Sequence, residues 1–573
     1  MNTGKIKLSH FSVKEYLLST RVEEYFSIDE KTSHSKILEL SVAYLLQFDD
    51  DSLPLTMLDS MPLAQYAARH WIGHAKSGVV DGTALQLILR LFISESAPLI
   101  NWIQMRIIHR ESDNIIDGEY DDLIDDEYIY FQPFGRSRVC PALYYSSLAG
   151  MQEVSACLLH KGEDANAEGG WYGNALQAAS YEGSEAIVKM LLQNGAEVNA
   201  EGGEFGNSLQ AASYRGNEAI VKLLLENGAG VNAEGGRYRN ALQAASYQGN
   251  LMIVKLLLDK GAEVNAEGGR YGNALQAASY ICNEEIVKML LENGAVVNSG
   301  GGDFGNSLQA ASYRGNEAIT KLLLENGAGV NAEGGKYGNA LQAASYQGNE
   351  AIVKLLLKNG AEVNAEGGKY GNALQAASYQ GNEAIVKLLL ENGADVNAEG
   401  GWYGNALQAA SHDSHQGNLM VVKLLLENGA AVNAEGGQYG NALQSAAASY
   451  QSNASEAVLE LLLKNGAEVN ANGGEFGNAI QAASFVGNRA VVKLLLENGA
   501  RVNVKGGQYG NALQAAAYNN NEAIVKLLLQ NGAEVNAEGG EFGSALQAAS
   551  FGGHQAIEKL LLENGIEKNN ECR

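Results

Sequence analysis

The chain has 573 residues, 46% of them hydrophobic, with 68 glycines, only 5 prolines and four widely spaced cysteines. This composition supports an extensive core and excludes a proline-rich disordered chain, a disulfide scaffold and a CxxC-type zinc site. The net charge of −26, from 40 basic and 66 acidic side chains, opposes binding to nucleic acid or to an anionic membrane, because both would repel the protein.

The first 110 residues contain no internal repeat and are predicted to form a small, mainly helical domain. The N-terminus lacks the apolar core of a signal peptide, and no run of 18 apolar residues occurs in the chain. We therefore expect a soluble cytoplasmic protein without a membrane partner, with the nucleus as the alternative location. Sequence patterns predict a short strand at 6–8 and helices at 12–18, 35–48, 63–75 and 83–93.

Two stretches of this segment resemble a winged-helix region that follows the nucleotide-binding domain in fungal NACHT–ankyrin proteins. They are KIKLSHFSVKEYLL at residues 5–18 and PLAQYAARHW at residues 62–71. The resemblance implies a receptor-like architecture whose NTPase module lies outside this chain, so that the chain would begin within the winged helix. Residues 1–135 carry 11 basic and 21 acidic side chains, which argues against DNA binding by this segment.

Residues 111–135 are predicted to be an acidic linker between this domain and the rest of the chain. Between residues 118 and 130 there are six acidic side chains and no basic one. Such a run is typical of a solvated connection. A repeat array is predicted to occupy residues 136–573.

A phrase close to GNALQAASYQGNEAIVKLLLENGAEVNAEGG recurs thirteen times in the array. Measured at the first residue of the ALQ-type triplet, the period is 33 residues for eight steps and then 36, 37, 33 and 33. The longer steps come from insertions near residues 412–415 and 445–455. A period held this tightly predicts one structural unit per copy, stacked on its neighbours.

The copy at residues 372–401 shows what the unit is. Asn372 is expected to cap a short first helix of small residues, and Asn382 is expected to cap a second helix. The second helix is apolar except for one stripe of charges four residues apart, Glu383, Lys387 and Glu391. Only neighbouring copies can bury so apolar a helix, and each buried Leu or Ile contributes roughly 1.5–3 kcal/mol.

The unit resembles the ankyrin repeat in its 33-residue period and its helix–turn–helix–hairpin order. The resemblance covers residues 141–567 and implies an all-α ankyrin-repeat solenoid of thirteen units after the small winged-helix-like domain. Two features depart from the family. Its Thr-Pro-Leu-His is Asn-Ala-Leu-Gln here, as at residues 372–375, and its hairpin tip is Gly-Gly-X-aromatic-Gly, as at residues 400–404. Asn can cap a helix where Thr would, and Gln can donate a hydrogen bond where His would.

Positions that differ between near-identical copies are the expected partner contacts. In the ankyrin family, hairpin tips and first helices line a concave groove, so the resemblance places these variable residues on a binding face. The expected contacts at the tips and first-helix ends are Trp171, Glu204, Arg215, Arg237, Arg270, Arg314, Lys336, Lys369 and Trp402. The first-helix aromatics beside them, which are rigid rings with a polar end, are Tyr181, Tyr214, Tyr247, Tyr280, Tyr313, Tyr346 and Tyr379.

Between Glu204 and Lys369, six of the variable residues are basic, and only Glu204 and Asp303 oppose them. This pattern predicts a locally basic stripe on an acidic protein, and hence an acidic peptide or protein as the partner. The alternative is that tip residues vary only as solvated surface.

The sequence offers no catalytic, metal or cofactor constellation. There is no GxxxxGK[ST] loop, and the GxGxxG match at residues 300–305 falls in a hairpin tip rather than between a strand and a helix. His70 and His74 have a zinc-compatible spacing, but HEXXH is not met, so they are expected to be ordinary helix residues. His412 and His415, which lie in an insertion, are expected to be polar loop residues. We therefore expect a non-enzymatic scaffold or recognition arm without a cofactor. The alternative is a regulatory fragment of a NACHT-type NTPase receptor.

Overall fold

A computed structural model describes residues 29–49, 62–93, 96–107, 140–412, 418–449 and 452–571. The chain divides into two units, residues 1–263 and 264–573, and this division falls inside the repeat array. The predicted strand at 6–8, the helix at 12–18, the linker at 111–135 and His415 lie outside the described residues. The domain limits at 110 and 135 therefore stay predictions.

Four helices precede the repeats within the described part of the first unit. They are α1 (Glu30–Leu45), α2 (Pro62–Ser77), α3 (Gly82–Leu91) and α4 (Ala97–Ile107). Three match sequence expectations, with shifted ends, whereas α4 was not predicted. Asp81 caps α3 by accepting from the backbone N–H of Ala84 at 2.9 Å.

The core of this helical segment is aromatic. Trp71 and Trp102 are fully buried, and their rings meet edge-on with centroids 5.5 Å apart. Trp102 also contacts the first repeat, because its ring lies 5.9 Å from that of Tyr145. The helices therefore pack on the start of the array, while the winged-helix assignment stays a prediction.

Thirteen helix pairs follow in the described residues, one for each copy of the sequence repeat; repeats 1–4 lie in the first unit and repeats 5–13 in the second. The first helices are Ala142–Leu148, Ala175–Glu182, Ser208–Arg215, Ala241–Gln248, Ala274–Tyr280, Ser307–Arg314, Ala340–Gln347, Ala373–Tyr379, Ala406–His412, Ala442–Ala447, Ala479–Val486, Ala512–Tyr518 and Ala545–Phe551. The second helices are Gln152–His160, Glu185–Gln193, Glu218–Glu226, Leu251–Asp259, Glu284–Glu292, Glu317–Glu325, Glu350–Lys358, Glu383–Glu391, Asn418–Glu427, Ser452–Lys464, Arg489–Glu497, Glu522–Gln530 and Gln555–Glu571.

The helix caps are only partly those expected from sequence. The Asn372 side chain accepts from the backbone N–H of Gln375 at 2.9 Å, which confirms the first cap. The expectation for Asn382 is wrong, because its side chain accepts no capping hydrogen bond. At the equivalent position in another repeat, the Asn217 side chain donates to the Ser180 carbonyl at 3.0 Å. That asparagine therefore joins two repeats instead of capping its own helix.

Burial of the second helix follows the predicted pattern in part, since Ala384 is exposed together with the charged stripe. Ile385, Val386 and Leu389 are completely buried, whereas the charged stripe at 383, 387 and 391 is exposed. The apolar side faces neighbouring helices, so each repeat gains its core from the repeats beside it.

Within each unit, two further side chains link successive repeats, as repeat 8 illustrates. Gln375 donates from Nε2 to the carbonyls of Ala398 at 3.0 Å and Gly404 at 3.2 Å. Asn364 donates to the Gly393 carbonyl at 3.0 Å and belongs to the loop preceding repeat 8. These bonds position each hairpin against the repeat before it.

Candidate partner-binding site

The hairpin tips of the second unit form a backbone hydrogen-bond ladder. Each tip is closed within itself, as when the Gly400 N–H donates to the Gly404 carbonyl at 2.8 Å. Successive tips are then joined through the variable residue: Trp402 N–H donates to the Lys369 carbonyl, and Lys369 N–H donates to the Lys336 carbonyl, both at 2.9 Å. The first unit has the same arrangement among Trp171, Glu204 and Arg237.

Glycine is required where the tips meet. Gly401 has a φ of 61°, and a Cβ placed on it would lie 2.4 Å from the backbone carbon of Tyr370. Backbone therefore packs directly on backbone, and the variable side chain is displayed from a tightly fixed main chain. We call the row of variable residues in each unit its tip ladder.

Neighbouring charges on the tip ladders form pairs. In the first unit, Arg237 lies 3.7 Å from Glu204. Burial raises the pKa of the Glu204 carboxyl, while Arg237 acts in the opposite direction. In the second unit, Arg270 and Asp303 are joined at 3.1 Å. The charges of both arginines are thus balanced by acidic neighbours.

The two variable arginines on the first helices lie over aromatic rings. The Arg215 guanidinium is 4.7 Å from the centre of the Tyr181 ring, and the Arg314 guanidinium is 4.8 Å from that of Tyr280. Arg215 also donates from Nε to the Tyr181 carbonyl at 3.2 Å. Each arginine therefore reaches back to the preceding repeat, where cation–π attraction holds it.

The first-helix aromatics pack alternately with the aromatic residues of the tips. The ring centroid of Tyr379 lies 5.3 Å from that of Tyr370, in the hairpin of the same repeat, and 4.9 Å from that of Tyr403, in the hairpin of the next repeat. Tyr181, Tyr280, Tyr313 and Tyr346 are buried, whereas Tyr214, Tyr247 and Tyr379 are half-buried. The faces of these rings thus stack between repeats, and their contact with a partner stays a prediction limited to exposed edges.

The aromatic residue of each tip belongs to the sequence pattern given above, but its part in this aromatic stack was not predicted. Tyr337, Tyr370 and Tyr403 are buried at 3–7% exposure. The signal was present, because an aromatic stands nine residues before the first-helix aromatic in most copies. That these two aromatics alternate with the rings of the next repeat can be seen only from the packing.

Three predicted contact residues are exposed side by side on the tip ladder of the second unit: Lys336, Lys369 and Trp402. Trp402 keeps 51% of its surface accessible. By contrast, Trp171, Glu204, Arg237 and Arg270 are half-buried. Among the predicted tip residues, the exposed groups are thus the two lysine ammonium groups and the indole of Trp402.

His412 ends the first helix of repeat 9, and its ring stacks on that of Tyr439 with centroids 4.3 Å apart. The expectation that His412 is a polar loop residue is therefore wrong, because its ring takes the place of a first-helix aromatic.

The other residues considered for metal or nucleotide chemistry also have defined neighbours. The Nδ1 atoms of His74 and His34 face each other at 2.6 Å, which joins α2 to α1. Within the described ranges, no group of three or more His, Cys, Asp or Glu side chains is arranged to hold a metal ion. The GxGxxG match lies in a hairpin closed by Gly301 and Gly305. No helix in the described portion has both the length and the apolar character needed to span a bilayer.

Comparison with known families identifies the class of this array. A model of ankyrin repeats in three copies matches residues 208–300, 307–400, 374–473 and 479–572, and a model of many copies matches residues 176–228. These matches cover more than half of the chain and agree with the helix pairs and hairpins described above. The chain belongs to the ankyrin repeat family.

One curated protein is similar over part of the array. It is the azaphilone pigments biosynthesis cluster protein L of Monascus ruber, 33% identical over 188 residues. The match covers 30% of this chain and 37% of that protein.

Proposed function

We propose that this protein is a non-enzymatic interaction scaffold that binds partner proteins or peptides through its hairpin tips, and that it does so in the cytoplasm. One observation carries the proposal: residues that vary between near-identical repeats sit on the tip ladder, whose main chain is hydrogen-bonded from repeat to repeat. Membership in the ankyrin repeat family supports protein partners in general.

The tip ladder favours binding because little order has to be created when a partner arrives. The main chain of Lys369 is held on both sides by its neighbours, through Lys336 and Trp402. Association loses affinity when side chains and loops must be immobilised. A prearranged row of side chains avoids most of that cost.

Capture of partners from a cell extract tests the proposal. The full chain would be compared with a variant carrying K336E, K369E and W402A, and with a control carrying K387E on the exposed face of a second helix. We expect the tip variant to lose specific partners that the control retains. If both variants capture the same proteins as the native chain, binding by the tips is contradicted.

We also propose that the array is the recognition arm of a NACHT-type receptor. The support is the winged-helix-like sequence at residues 5–18 and 62–71, of which the second stretch begins α2. Sequencing the transcript upstream of the codon for Met1 tests this idea. An in-frame segment encoding GxxxxGK[ST] is expected, and a stop codon before any such segment contradicts the idea.

A further inference from the structure

We infer that Lys336, Lys369 and Trp402 form a binding site for an extended acidic peptide, read at one side chain per repeat. The inference rests on the proposed interaction function and names the chemistry and register of the partner. The peptide carries two acidic side chains at alternate positions and an apolar side chain at the next alternate position. The two carboxylates face the lysines, and the apolar side chain packs on the indole.

The spacing of the repeats at the tips selects an extended chain. The rings of Tyr337, Tyr370 and Tyr403, each one residue after a tip residue, follow one another with centroids 6.4 Å apart. An extended strand rises about 3.3–3.4 Å per residue, so alternate side chains on one face lie roughly 6.6–6.8 Å apart. Two peptide residues therefore match one repeat, whereas adjacent peptide residues point to opposite faces.

The tyrosine rings next to the two lysines restrict the conformations of the lysine side chains before a peptide binds. The ammonium groups of Lys336 and Lys369 each lie 5.5 Å from the centre of the following tyrosine ring. Attraction to the ring favours a narrower range of lysine conformations, while both residues stay exposed. Each ammonium can still donate to a carboxylate, because it has three N–H donors.

The acidic residue on one side of the site disfavours one shifted register. Asp303, which pairs with Arg270, precedes Lys336 on the tip ladder. Beyond Trp402 come Gln438 and Glu475, joined by a hydrogen bond of 2.7 Å. A peptide shifted by one repeat toward Asp303 would place a carboxylate opposite a carboxylate, which disfavours that register.

The charge of the whole chain favours a peptide over a nucleic acid. A net charge of −26 repels a polyanion over its whole length. A short peptide with two carboxylates can instead contact only the ammonium groups of Lys336 and Lys369. Two lysines beside a tryptophan can also hold single-stranded DNA by stacking, so an oligonucleotide is included in the test.

The experiment uses the full chain and short fluorescein-labelled peptides. The alternating peptide is Asp-Ser-Asp-Ser-Leu flanked by Gly-Ser, made also in the reverse order because the direction of binding is open. The control peptide has the same composition, with its residues in the order Asp-Asp-Ser-Ser-Leu. We expect one alternating order to bind about tenfold more tightly than the control, which corresponds to ~1.4 kcal/mol. Binding should weaken as salt is raised.

Variants assign the binding to the three residues. K336E with K369E should weaken binding of the alternating peptide at least tenfold, K387E should leave it unchanged, and circular dichroism should show that all are folded. Peptide binding should also change tryptophan fluorescence in the native chain and lose most of that change in W402F, since Trp71 and Trp102 are fully buried and Trp171 is half-buried on the tip ladder of the first unit, outside the proposed site.

Three outcomes overturn the inference: equal binding of both peptide patterns, binding unaffected by the double charge reversal, or tighter binding of oligothymidine than of either peptide. These outcomes are separate from failure of the proposed function. If captured partners depend on the tips but the alternating peptide does not displace them, the acidic-peptide site is rejected and the scaffold function stands.

Discussion

At the scale of single residues, the near-identity of the repeats turns each deviation into an internal comparison. Most first helices are followed by a glycine in the left-handed region, such as Gly348 at φ 83°, but Cys282 at φ 64° and Asn520 at φ 60° hold that place in two repeats. A left-handed conformation costs most L-residues roughly 1–2 kcal/mol, while Asn tolerates it well.

Cys282→Gly is therefore expected to stabilise the protein by about 0.5–1 kcal/mol, after the extra entropy of glycine in the unfolded chain is subtracted. Asn520→Gly is the control, with an expected change within about 0.5 kcal/mol. The measurement is the urea midpoint followed by circular dichroism. A lower midpoint for the Cys282 variant would contradict the strain argument.

Thr320 gives a second comparison, because the equivalent Val287 and Val353 are also fully buried. Its hydroxyl donates to the Asn316 carbonyl at 2.8 Å, inside its own helix. Thr320→Val should raise stability by about 1 kcal/mol, since a methyl group replaces the hydroxyl in the apolar site and a side-chain bond of a type that slightly destabilises helices is removed. Val353→Thr should lower stability by a similar amount. Equal urea midpoints for the Thr320→Val and Val353→Thr variants would refute the prediction.

At the scale of elements, hydrogen bonds between repeats of the same unit hold hairpins on the preceding helix pairs. Removing the Gln375 side chain takes the amide donor from the half-buried carbonyl of Ala398, while the buried carbonyl of Gly404 keeps only the Gly400 N–H. We expect Gln375→Ala to cost about 1–3 kcal/mol. Gln547 occupies the same position in repeat 13 and is exposed, so Gln547→Ala should change stability by less than about 0.5 kcal/mol. Equal losses in the two variants would show that the amide acts only within its own repeat.

Glycines at the tips and at the ends of the second helices make different contributions. Gly401→Ala should cost about 3 kcal/mol, because its Cβ overlaps the backbone of Tyr370. Gly360 also has a positive φ, of 85°, but nothing lies within 4 Å of a Cβ placed there, so Gly360→Ala should cost only about 1 kcal/mol. Amide hydrogen exchange at Lys369 and Trp402 should accelerate in the first variant alone.

At the scale of the whole molecule, stability should depend on complete repeats. Deleting residues 340–372 joins Asn339 to Ala373 and restores the Asn-Ala-Leu-Gln start of a first helix. Because each repeat contacts mainly its neighbours, this deletion should leave a folded chain with a slightly lower urea midpoint. Deleting residues 340–355, about half a period, should abolish cooperative unfolding of the affected region. A folded half-period variant would contradict the unit defined here.

How far sequence reasoning reached depends on the range of the interaction. The cap at Asn372 and the exposed stripe at Glu383, Lys387 and Glu391 were predictable, because each depends on residues within one or two turns. The apolar run of α4 was missed, since its burial depends on Trp71 and Tyr145 from distant parts of the chain. The variable tip residues could be selected from sequence, but their exposure and their pairing could not.

The amino-acid sequence by itself determined the period, the paired helices and the need for neighbouring copies, because local capping and apolar spacing recur every 33 residues. Only the tertiary structure decided which variable residues a partner can reach. The difference arises because Arg237 and Arg270 find acidic neighbours one repeat away, Tyr280 is enclosed by rings from two hairpins, and Lys369 and Trp402 are left in solvent.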